Sequence, residues 1–334
     1  VSTVSLIGST YTLTVYVSKN IKLESALFLI VIIFGSISTL IIFLMYQDLG
    51  SSLYVIGSVV FVIATAEILA KKHYATYSKY LIIQKISLVT LSLGFYHWIG
   101  IDGILLGISF SFFIYLPIII KTFKTTTIDF SLLRPRFGFI INSYILSITL
   151  TLAKQIDKII ILPLLGSALL GNYQLALQFI AVFQLLPLIV LKYTIPHDAT
   201  GNRNKNLKIV MILTSTCFTV LVLILAPIII PIFFEKFVYV VGIIQILSLS
   251  LIPSALSTIY TSKFFGNGDS KIVLIQSMIY FLTFILSIFL MVTTLGIRGI
   301  AIAYVLASIT PLIFLFIVDS RNKLSRSTDH HNPK

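Results

Sequence analysis

Long apolar stretches separated by short polar connections run through the whole chain. They fall at residues 1–17, 26–45, 50–70, 80–98, 100–120, 138–162, 166–191, 207–234, 237–262, 271–294 and 297–318. A run of about 20 apolar residues spans a bilayer as a helix, and a helix satisfies its own backbone polar groups there. The pattern predicts an all-α, polytopic membrane protein with about 11 transmembrane helices. The first stretch is short and starts at Val1, with no basic leader and no cleavage site. We read it as a span cut at its N-terminus. No connection exceeds about 17 residues, which leaves no room for a soluble catalytic or nucleotide-binding domain. The polar tail 319–334 is expected to be disordered.

The pattern repeats. IGIDGILLGISF at 99–110 is similar to LGIRGIAIAYVL at 295–306, and Pro117 and Pro311 follow at nearly the same offset. Ser78-Lys79 and Ser270-Lys271 each close a short loop before the preceding span. Spans between 26 and 120 therefore map onto those between 207 and 318. By this register the intact architecture is six spans plus six, arranged as two parallel six-helix bundles of like orientation. Parallel repeats of this kind belong to alternating-access transporters, with the substrate path between the halves. The N-terminal bundle would cover 1–137, lacking the first helix and part of the second. The C-terminal bundle would cover 138–318, followed by the tail. The paired glycines, such as Gly296 and Gly299, also suit simple close packing of helices.

Composition agrees with the membrane reading. The chain is 57% hydrophobic and only 10% charged, and its mean hydropathy is +1.05. Soluble proteins carry about 25% charged residues. The net charge of +13 would suggest nucleic acid for a soluble chain, but its location argues otherwise. Nineteen Lys and Arg residues fall on one set of loops and the tail, and only Lys236 and Arg298 fall on the opposite set. That asymmetry is the positive-inside pattern. It predicts a cytoplasmic C-terminus in the cell membrane, contact with anionic membrane lipids, and no nucleic-acid partner. Tyr46, Tyr96, His97 and Trp98 end spans and read as interfacial belt residues. Cys217 is the single cysteine, so no intrachain disulfide forms.

One span breaks the apolar rule. LAKQIDKIIILPLLG at 152–166 places Lys154, Asp157 and Lys158 inside hydrocarbon. At about 100° per residue, Ser143, Ser147, Thr151, Lys154, Asp157 and Lys158 share one broad face. A charge at mid-bilayer costs about 2.5–3.5 kcal/mol on insertion scales, so this face is expected to look into the protein or a wet cavity. Lys154 and Asp157 are spaced to pair, leaving Lys158 as a net positive charge suited to a phosphate or diphosphate. The alternative is a structural ion pair near the outer interface, with Lys158 snorkelling. Glu67 and Lys85 are the other ionisable residues within spans. They would snorkel or pair with each other, or else Glu67 relays a proton and Lys85 meets the substrate. The sequence holds no P-loop, no metal-ligand spacing of paired Cys or His, and no nucleophile elbow. His330-His331 is too short to read as a metal site. We therefore expect no enzyme, cofactor or metal.

Residues 157–176, DKIIILPLLGSALLGNYQLA, carry a resemblance. Asp157 followed by basic Lys158, an apolar run, then Leu170, Gly171, Tyr173 and Ala176 resembles the seventh-to-eighth helix region of the polysaccharide flippase family. That family belongs to the multidrug/oligosaccharidyl-lipid/polysaccharide exporter superfamily. The resemblance implies two six-helix bundles around a cationic cavity. It also implies flipping of polyprenyl-diphosphate-linked oligosaccharide to the outer leaflet, for O-antigen, lipopolysaccharide or other surface polysaccharide. A gradient of H+ or Na+ would be the driving force. Ser143, Ser147, Thr151, Lys154, Asp157, Lys158, Lys85 and Glu67 are the candidates for its transport path. The alternative is an ion-coupled exporter of cationic drugs from the same superfamily, which would want acidic rather than basic cavity groups. A glycan polymerase or ligase is disfavoured, because every outer loop is short.

Overall fold

The computed structural model describes residues 2–202 and 204–329. Among these the regular structure is helical. Two short helices, α1 (Ser2–Ser5) and α2 (Ser9–Tyr16), occupy the first apolar stretch. Left-handed residues Ile7 and Gly8 separate them, so this stretch is not one continuous helix. Next come α3 (Glu24–Tyr46), α4 (Leu49–Ala70), α5 (Tyr74–Ile99), α6 (Ile101–Phe112) and α7 (Leu116–Thr125). They are followed by α8 (Phe137–Ala199), α9 (Lys205–Phe233), α10 (Val240–Ser248), α11 (Leu251–Asn267) and α12 (Ser270–Asp329). Among the described residues, seven helical stretches are long and apolar enough to cross a membrane.

Local chemistry sets the boundaries. Asp48 caps α4, its carboxylate accepting the N–H groups of Gly50 at 3.0 Å and Ser51 at 2.8 Å. Glycine breaks fall where the apolar pattern puts its connections. Gly166 (φ 81°) interrupts α8 and Gly296 (φ 55°) interrupts α12, each in a left-handed conformation that a side chain resists.

The two Gly-Ile-x-Gly segments do the same work. Gly100 and Gly296 both turn the chain at positive φ. Three residues later, a Cβ on Gly103 would lie 2.2 Å from the Phe95 carbonyl oxygen, and one on Gly299 would lie 2.3 Å from that of Met291. The first glycine reverses the chain and the second lets the new helix press against the backbone it has just left. Close packing and internal repetition are thus one observation.

The described residues form two compact units. One contains residues 1–148, 195–202 and 265–270; the other contains 149–194, 203–264 and 271–334. The first packs around Leu13, Leu23, Phe28, Val59, Ile63 and Tyr115. The second packs around Ile161, Tyr173, Ile180, Leu247, Phe284 and Ile300. Large aliphatic side chains outside these cores, such as Leu44, Ile86 and Leu290, are more than half exposed. A bilayer accommodates such a surface, because lipid tails are as apolar as the side chains themselves.

The tail differs from expectation. α12 continues to Asp329 instead of fraying after residue 318. Asp319 is 5% exposed and forms an ion pair with Lys263 of α11, which anchors the continuation. His330 and His331 lie outside the described residues.

Candidate functional site

α8 carries Asp157 in its first half, before the Gly166 break, and Tyr173 after it. The reversal brings the two positions together in the second unit. Asp157 is 3% exposed. Its Oδ1 accepts the backbone N–H of Lys158 at 2.8 Å. The hydroxyl of Tyr173, itself fully buried, faces the same carboxylate outside regular hydrogen-bond geometry. From α12, Tyr280 and Tyr304 stand close enough to feel the Asp157 charge. Their hydroxyls bond to each other, and Gln184 Nε2 donates to Tyr304 Oη at 3.2 Å. Phe284 packs edge-on against Tyr304 at 5.9 Å and stacks on Tyr280 at 6.0 Å, which fixes both rings.

A single carboxylate therefore stands near three phenols inside an apolar core, with the Gln184 amide held behind Tyr304. Hydroxyl dipoles help to hold a buried anion, and the positive charge of Lys158 also acts on this one. The same set supplies oxygen ligands for a small cation or partners for a bound proton. Tyr280 also lines a cavity of about 190 Å³ whose polar lining comes from Ser254, Ser257, Thr258, Thr261 and Ser308.

The remaining candidates separate. Among the described residues no ion pair joins Lys154 to Asp157, although their spacing allows one. Asp157 turns into the core, while Lys154 is exposed and Lys158 half-buried, its Nζ donating to Gln155 Oε1 at 3.1 Å. Thr151 shares the exposed face with Lys154. Ser147 and Ser143 do not extend it. Ser143 is fully buried where Gly8 presses against the backbone of α8, and Ser147 donates to the Ser143 carbonyl at 2.8 Å. The polar stripe is continuous on a helical wheel but is divided by a neighbour that the wheel does not show.

Glu67 and Lys85 are likewise apart. Lys85 is exposed, whereas Glu67 is 3% exposed and pairs with Lys71 one turn on. It also accepts from Thr122 Oγ1 at 2.6 Å. Of the Leu-Gly-x-Tyr-x-x-Ala motif, Tyr173 and Ala176 are fully buried in the core, Leu170 packs against it, and Gly171 is exposed. Tyr173 is thus both a packing residue and a neighbour of Asp157. Tyr280, Tyr304 and Gln184 were not singled out from the sequence. Their one local signal is that polar-tipped side chains recur within otherwise apolar spans.

The sequence matches no protein-family model and no curated protein. Solved structures do match in fold. An outward-facing multidrug resistance MATE family transporter of the MOP superfamily superposes with a TM-score of 0.80 at 13% identity, over 98% of this chain and 84% of that one. A MOP superfamily transporter from Pyrococcus furiosus, described by the reverse polarity of its binding pocket, gives 0.77 at 14% identity, over 97% and 84%. The MATE transporter ClbM in complex with Rb+ gives 0.76 at 13% identity, over 94% and 82%. The chain has the fold of these transporters.

Proposed function

With the MATE fold as premise, we propose that this chain is a cation-coupled membrane transporter that works by alternating access. The observation that carries the proposal is Asp157, a carboxylate buried within a membrane-spanning helix and faced by tyrosine hydroxyls. An ionisable residue in that setting marks an ion or proton path. Cation binding at Asp157 in one conformation and release in another supplies the differential affinity that shifts the equilibrium between states. The positive-inside asymmetry supports a cytoplasmic C-terminus.

For the substrate, we infer amphipathic organic compounds, the class suggested by the multidrug name of a structural neighbour. A second reading is favoured by one observation. On the helix that buries Asp157, Lys154 is exposed and Lys158 half-buried, and two ammonium groups within a span are costly against lipid. A wet, cationic wall would receive an anionic headgroup, as in the flipping of a polyprenyl-diphosphate oligosaccharide.

The two readings separate in proteoliposomes under imposed H+ or Na+ gradients. Uptake of a fluorescent organic cation is followed beside leaflet exchange of a labelled polyprenyl-diphosphate oligosaccharide. Cation uptake that requires a gradient supports the first reading. Lipid exchange without cation uptake replaces it with the second. Transport of either substrate that ignores both gradients refutes cation coupling.

A further inference from the structure

The two units repeat one lysine and balance it differently. Lys71 near the end of α4 and Lys263 near the end of α11 occupy corresponding places, 192 residues apart, as do the Ser-Lys pairs at 78–79 and 270–271. In the second unit Lys263 pairs with a single carboxylate, Asp319. In the first, Lys71 pairs with two: Glu67 on its own helix, and Glu24 of α3 at 3.4 Å. Both glutamates are at least nine-tenths buried. One ammonium against two carboxylates leaves one negative charge in excess.

The hydrogen bonding is incomplete in the same place. Glu67 Oε1 is satisfied by Lys71 and by Thr122 Oγ1. Glu67 Oε2 and Glu24 Oε2 are buried with no hydrogen-bond partner. A buried carboxylate oxygen without a partner is expensive, and such a group in a native protein marks a missing ion or water. Glu67 also lines a cavity of about 360 Å³ in this unit, together with Thr76 and Thr125. Besides Lys71, the lysine at the cavity is Lys121, which is exposed to solvent, where its repulsion is screened by salt.

We propose that Glu24 and Glu67 form a binding site for a monovalent inorganic cation in the first unit. The cation would neutralise the excess charge and take up the two unpartnered oxygens, with Thr122 and cavity water as further oxygen ligands. This site is separate from Asp157 and does not depend on the coupling role assigned to it. Lys71 then holds the two carboxylates together instead of cancelling either one.

The test uses the purified full chain in detergent. Thermal unfolding and binding of radiolabelled sodium are measured in NaCl, KCl and choline chloride at constant ionic strength. Wild type is expected to gain stability saturably with Na+ or K+ over choline. Glu24→Gln should weaken that response at least about tenfold. It retains the one-to-one Lys71–Glu67 pair that the second unit already uses, so it is expected to fold. Glu67→Gln should behave likewise, and the part of the response that Glu24→Gln removes should persist in Asp157→Asn. No difference between the salts in wild type overturns the proposal, as does an unchanged response in Glu24→Gln. Loss of the response in Asp157→Asn with retention in Glu24→Gln also overturns it and assigns the ion to Asp157. Stability that follows pH but not cation identity overturns it in favour of a bound proton.

Discussion

Replacing Asp157 with asparagine separates charge from shape at the centre of the second unit. The amide keeps the size of the carboxylate, and its Oδ1 still accepts the Lys158 N–H, now 2.8 Å away. The hydroxyls of Tyr173 and Tyr280 keep a polar group to face. Asparagine also spares the fold the burial of a charge that is 3% exposed, which offsets any weakened hydrogen bond. The net change in stability is expected to stay within about 1 kcal/mol. Asp157→Ala differs. It removes the acceptor of the Lys158 N–H and leaves a gap beside the buried Tyr173 hydroxyl, at about 1–3 kcal/mol, and removes the charge beside Lys158. Transport responds to charge alone, so both variants should lose gradient-driven transport at least about tenfold, or 1.4 kcal/mol in barrier terms. The assay pairs thermal unfolding in detergent with proteoliposome transport under H+ and Na+ gradients. Asp157→Ala should melt several degrees lower, at about 2–4 °C per kcal/mol for a unit of this size. Wild-type gradient dependence in Asp157→Asn would refute the coupling role. A fall in melting temperature as large as that of Asp157→Ala would refute the claim that shape, not charge, serves stability here.

Three further outcomes are expected. Lys154→Ala and Lys158→Ala should each slow exchange of a diphosphate-linked lipid while leaving the melting temperature unchanged, and wild-type exchange in both retires the anionic-headgroup reading. Gly103→Ala and Gly299→Ala should each cost about 1–3 kcal/mol from overpacking, measured by thermal unfolding, whereas alanine at Gly94, where an added Cβ would meet nothing within 4 Å, should cost much less. Asp48→Ala should cost about 1 kcal/mol as a lost helix cap. Hydrogen bonds from Ser51 and Gly50 hold the Asp48 carboxyl below its ordinary pKa, so its contribution is complete above the unfolded-state value and is lost as pH falls through the folded one. A melting difference between wild type and Asp48→Ala that grows on acidification would contradict that sign.

The sequence by itself determined the class of structure and where its helices turn. An apolar run long enough to cross a bilayer has few alternatives to a helix, and glycines at 100, 166 and 296 stand where the chain must adopt backbone angles other residues resist. It also picked out Asp157, because a carboxylate in hydrocarbon is costly wherever it points. Which neighbours meet that carboxylate was decided by tertiary structure alone. A helical wheel gives the direction of a side chain but not what lies beyond it. It offered Lys154 as the partner of Asp157 from spacing within one helix, while packing put the carboxylate among Tyr173, Tyr280 and Tyr304. The same limit hid Glu24 from Lys71, Thr122 from Glu67, and Gly8 from Ser143. Apart from Asp157 and Tyr173, which face each other across the Gly166 break, these contacts join residues dozens of positions or more apart, and nothing local in the chain encodes which distant helix will pack there.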